Sequence, residues 1–118
     1  MVHTREAVAM TQEVTLSFED ASLAEANRYA AELAERLRDA DVAVTERRAD
    51  PNAQDFGATL AILLGTPAVI ALAKGVADWL RMRPEAKVTL KDSHGTIIAS
   101  GLTSADARAI IERKLGAG

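Results

Sequence analysis

The sequence predicts a single α+β domain, a two-layer sandwich with a mixed sheet of about four strands under helices. Three observations lead there. The chain has 118 residues, enough for one domain around one modest core. Its apolar residues switch along the chain between a two-residue spacing and a three- to four-residue spacing, the signatures of strands and of amphipathic helices. Those segments follow one another in the order β-α-β-α-α-β-β-α, which places strands in both halves of the chain.

Residues 1–11 read as a flexible leader, and the domain occupies 12–116. The first strand spans 12–18, where Val14, Leu16 and Phe18 alternate with polar neighbours. A helix follows over 22–38. Ser22 and Glu25 have the spacing of a capping box. Leu23, Ala26, Ala30, Leu33 and Leu37 form one apolar stripe, and the other faces carry charges. A short strand fits 41–47, with Val42 and Val44 inward, before a polar loop around Pro51.

The middle of the chain is its most unusual part. Phe56 to Ala73 is an 18-residue stretch without a charge, divided by Gly65-Thr66-Pro67. The spacing predicts a helix over 53–64 ended by Gly65. A second helix then covers 67–82, with Thr66 as cap and Pro67 in its first position. Together they make a central apolar helical segment at 53–82. Beyond Pro84, the segments 87–91 and 96–100 read as a hairpin turning at Asp92-Ser93-His94-Gly95. Thr103 or Ser104 caps a final helix whose apolar side is Ile110, Ile111 and Leu115.

Composition excludes several functions. With no cysteine, the chain has no disulfide framework and no thiol nucleophile. A net charge of −3 argues against a duplex nucleic-acid partner, and Arg47-Arg48, Arg81 and Arg83 read as ordinary wetted surface. The two histidines, His3 and His94, lack zinc-site spacing. Asp92, Ser93 and His94 are neighbours in a turn, whereas a catalytic relay needs groups converging from separate elements. Gly57, Gly65, Gly75 and Gly95 make no phosphate-binding motif. No enzyme chemistry, metal or cofactor is expected. The N-terminus has no signal-peptide pattern, so a cytoplasmic location is expected.

The apolar middle exceeds what a small core needs on one side, because a helix apolar all round requires cover all round. Three readings compete: contact with another protein or a second copy, burial in the chain's own core, and insertion into a membrane. A bilayer span needs ~20 apolar residues, and Lys74 and Asp78 interrupt the run. The expected interface comprises Leu63, Leu64, Val69, Ile70, Val76, Trp79, Leu80, Arg81 and Arg83, with Trp79 between a core role and an anchor role.

The N-terminal strand and amphipathic helix, the Asp55-Phe56-Gly57 lead-in and the segment LAILLGTPAVIALAKGVADWLRMR carry a family resemblance, continued by the Val88-Thr89-Leu90 strand, Ile97-Ile98 and the short last helix. Over 12–115 this arrangement resembles the effector-associated constant component family, small proteins of bacterial conflict or defence systems. The resemblance implies a noncatalytic adaptor that associates with a separate effector such as a peptidase-like protein, and it supplies no catalytic residue. The expected function is therefore an adaptor or assembly component, binding an effector or itself as a homo-oligomer. The alternatives are a membrane-associated component inserting its central helices and a small enzyme of unknown class.

Overall fold

Five strands alternate with three helices in the computed structural model, which describes residues 12–47, 58–65 and 68–116. The expected leader, the loop around Pro51 and the Thr66-Pro67 helix start lie outside these residues. The elements are β1 (Gln12–Phe18), α1 (Leu23–Asp39), β2 (Ala43–Arg47), β3 (Thr59–Leu64), α2 (Ala68–Met82), β4 (Val88–Asp92), β5 (Ile97–Leu102) and α3 (Ala107–Gly116).

The strands form one sheet in the order β2-β3-β1-β4-β5, and every neighbouring pair is antiparallel. β1 and β2 therefore run parallel to each other with β3 between them. β3 and β4 likewise run parallel with β1 between them. Two interlocked split βαβ units result, the ferredoxin-like connectivity. β5 and α3 extend it at one edge. The expected mixed sheet of four strands is thus a five-stranded antiparallel sheet.

The extra strand is β3, where a helix was expected over 53–64. Apolar runs of this length fit both structures, and the sheet decides between them. Leu60, Ile62 and Leu64 alternate inward and are fully buried. The backbone bonds on both sides, to β2 and to β1. Leu60, Ile62 and Leu64 pack on the helices, while Ala61 and the exposed Leu63 lie on the opposite face, so the strand reads as one apolar run without being covered on both sides.

Local chemistry sets the other elements. Ser22 and Glu25 close the capping box at the start of α1. At its end, Val42 N–H donates to the Leu37 carbonyl and Asp41 N–H to that of Arg38, with Asp41 at φ 64°. This is a Schellman stop with Asp where glycine is usual. It turns the chain into β2 and buries Val42 near Leu37. At the β4–β5 hairpin, the Asp92 carboxylate accepts from the backbone N–H groups of His94 and Thr96, both at 2.9 Å, while Gly95 takes φ 82°. Asp92 is thus a turn residue, and His94 is exposed.

The core lies between the sheet and the helices. Val14, Leu16 and Phe18 of β1 meet Leu33 and Leu37 of α1, Leu72, Val76 and Leu80 of α2, and Ile111 of α3 in one buried cluster. The opposite face of the sheet carries small and polar side chains. Across four registered strand pairs, Thr45, Ala61, Thr15, Lys91 and Ile97 form one row, and Leu63 lies between Ala43 and Glu13 in another. Ile97 and Leu63 are the large apolar side chains exposed there. No helix among the described residues is long and apolar enough to cross a membrane.

Candidate functional site

α1 and α2 are antiparallel and touch most closely at Gly75. A Cβ placed there would lie 2.7 Å from Cδ2 of Leu37, so glycine leaves the room that the Leu37 side chain occupies. Above this contact the helices diverge into an open groove of about 770 Å³. Its α1 wall carries Glu32, Glu35, Arg36 and Asp39, and its α2 wall carries Ala71, Lys74, Asp78 and Met82. Trp79 and Arg83 close one end.

That end is a connected polar network over an aromatic cluster. Glu32 accepts from Nε of Arg83 at 2.9 Å and from its Nη2, and also from Nε1 of Trp79 at 3.3 Å. The two guanidinium bonds give the paired geometry of a strong charge-assisted contact. The Arg83 hydrogen bond, reinforced by that of Trp79, holds the Glu32 carboxyl below the usual glutamate range despite some desolvation. Beneath it, Trp79, Tyr29 and Phe18 pack edge to face or tilted, with centroids 5.4 to 5.8 Å apart. Tyr29 donates to Glu85 at 3.3 Å, and burial, followed by the Glu85 charge, pushes its phenol pKa up.

The rest of the groove differs. Arg36 reaches across to Sδ of Met82 at 2.9 Å. Glu35, Asp39 and Lys74 have no hydrogen-bond or ion-pair partner among the described residues. Ile70 and Met82 on the outer stripe of α2 are 59% and 64% exposed, the two most exposed large apolar side chains described.

No family model, curated protein or solved structure matches this chain. A ferredoxin-like arrangement serves many unrelated functions, so the fold by itself assigns none.

The expected interface residues separate into two groups. Leu64, Val69, Val76, Trp79 and Leu80 belong to the buried core and cannot meet a partner without unfolding. The sheet on one side, with α1 and α3 on the others, covers α2 far more fully than sheet packing alone would. Trp79 is 2% exposed and anchors α2 to α1. Ile70 and Arg81 lie on the exposed stripe of α2, and Arg83 is half-buried at the closed end of the groove. Leu63 is exposed, but on the opposite face of the sheet. The sequence reading missed Glu32, Glu35, Asp39, Lys74 and Gly75. A glycine inside an otherwise strongly apolar helix was the available signal, because such a glycine weakens the helix unless close packing needs it.

Chemically the groove suits recognition. Glu32 is held ionised by Arg83, the state of a structural acceptor and not of a proton donor. No group of His, Asp and Glu residues among those described could hold a metal ion. The remaining rim charges flank Ala71, Gly75 and the exposed Met82, a composition that fits the polar rim and apolar centre of a protein contact.

Proposed function

We propose that this protein is a noncatalytic binding module, an adaptor or assembly component that docks another polypeptide in the α1–α2 groove. The observation that carries this reading is Met82, exposed in the groove, together with Glu35, Asp39 and Lys74, charges on both rims that have no partner among the described residues. Large apolar side chains standing in water beside a polar rim mark contact surfaces. The resemblance to the effector-associated constant component family points the same way, to an effector as the docked protein.

The test uses the full chain as bait in extracts of its source cells, beside Lys74→Glu and Met82→Asp. Both positions are exposed, and both variants should keep the wild-type circular dichroism spectrum. The reading expects a defined protein retained by the wild type and lost by both variants. The same retained set for all three baits overturns it.

A further inference from the structure

The contacts across the groove fix how its two rims are aligned. Glu32 lies beside Arg83, Arg36 beside Met82, and Leu37 beside Gly75. Followed in one direction, the α1 rim presents Glu32, Glu35, Arg36 and Asp39. In the same direction the α2 side presents Arg83, Arg81, Asp78 and Lys74. The signs run minus, minus, plus, minus against plus, plus, minus, plus. Within the chain, one rung of this ladder is joined across the groove, the Glu32–Arg83 pair. Arg81 instead turns along its own helix to Asp78 at 3.4 Å, and Glu35, Asp39 and Lys74 stay unpartnered among the described residues.

A ladder of this kind is self-complementary. A two-fold axis parallel to the groove keeps every height unchanged while exchanging left and right, so it lays α2 of one copy against α1 of the other. Lys74 then meets Asp39 of the second copy, Asp78 meets its Arg36, and Arg81 its Glu35. Each contact occurs twice.

We infer that the α1–α2 groove takes a second copy of this chain, in an isologous dimer held by this charge ladder. The inference rests on the reading of the groove as a protein-binding surface and names its occupant. Area sets its strength. Two helices of this length offer a face of roughly 24 by 20 Å, on the order of 1,000 Å² over both copies. This is below the ~1,200 Å² of a standard stable interface. The dimer is therefore weak and concentration-dependent, and salt loosens it because its rim pairs are wetted.

The test is light scattering on wild type, Lys74→Glu and Asp39→Lys, from about 1 μM to about 1 mM at low salt. The wild-type mass should rise from 12.5 kDa toward twice that value over this range. Each variant alone places like charges at both symmetric contacts and should associate at least about tenfold more weakly. An equimolar mixture of the two variants restores opposite charges at both contacts, so its mass should rise as the wild type's does. A wild type that stays at one chain mass overturns the inference, as does a Lys74→Glu chain that associates normally or a mixture that fails to recover. Capture from extracts separates this failure from that of the broader reading. A monomeric wild type whose captured protein is still lost with Lys74→Glu keeps the groove as a docking surface and removes the second copy as its occupant.

Discussion

The two ends of the α1–α2 groove are built from the same helices and hold similar residue types, yet one end is closed on itself and the other is open. At the closed end, Glu32, Arg83 and Trp79 satisfy one another above three packed rings. At the open end, Glu35, Asp39 and Lys74 have no partner among the described residues. The difference teaches that the helix pair divides its work along its length. The closed end fixes the two helices against each other, and the open end leaves its charges to solvent.

Changes at the closed end should act on stability. Trp79 is the largest fully buried side chain and touches both other rings. Trp79→Ala leaves a cavity and removes one of the three hydrogen bonds to the Glu32 carboxylate, so a loss of about 3–5 kcal/mol is expected in urea unfolding. A loss under about 1 kcal/mol would mean the aromatic cluster is not what holds α2. Midway along, Gly75→Ala forces a methyl against the side chain of Leu37, which is fully buried. Overpacking typically costs about 1–3 kcal/mol, offset by about 1 kcal/mol from better helix propensity. The sign is diagnostic in combination. In a Leu37→Ala background the same substitution should become neutral or stabilising, as a double-mutant cycle on the pair would show.

How much of this was legible in the sequence depended on whether the deciding information was local. The capping box at Ser22 and Glu25, the hairpin held by Asp92 and Gly95, and the alternation of Val14, Leu16 and Phe18 each lie within a few residues, and each predicted its element correctly. β3 did not, because TLAILL is ambiguous until β1 and β2 are known to flank it. The groove was illegible for the same reason. Glu32 and Arg83 are 51 positions apart, and nothing near either marks them as partners. The apolar faces of α2 were taken for a contact surface because the sequence does not tell that α3 covers α2 from the side opposite α1. What remained visible was Gly75, whose absence of a side chain is itself a packing statement.

Acid should sharpen the contrast between the ends. Glu32 has a lowered pKa in the folded chain, chiefly through its hydrogen bond from Arg83. A depressed carboxyl contributes stability that is fully present above its unfolded pKa, near ~4.3, and is lost as pH falls through the folded value. Glu25 shifts the same way, through the Ser22 backbone and side chain, so the wild type alone cannot assign the effect. Comparison with Glu32→Gln can. The wild type should lose melting temperature more steeply than the variant between pH 5 and pH 3, and at pH 7 the variant should lie below the wild type by less than Gly75→Ala does. Parallel curves for the two proteins would show that the closed end is not held by this ion pair.

The smallest stability effect is expected at the open end. Lys74 is exposed and has no partner among the described residues, so Lys74→Glu removes no contact made within the chain. Its unfolding free energy should stay within about 0.5 kcal/mol of the wild type, as for ordinary surface substitutions. The same change reverses the sign of one rung that a second copy would meet. A variant that melts with the wild type but fails to associate would show that stability and association reside at opposite ends of one helix pair. If it unfolds more easily by a kilocalorie or more, Lys74 is already engaged within the chain, and the two ends are not as different as their contacts make them.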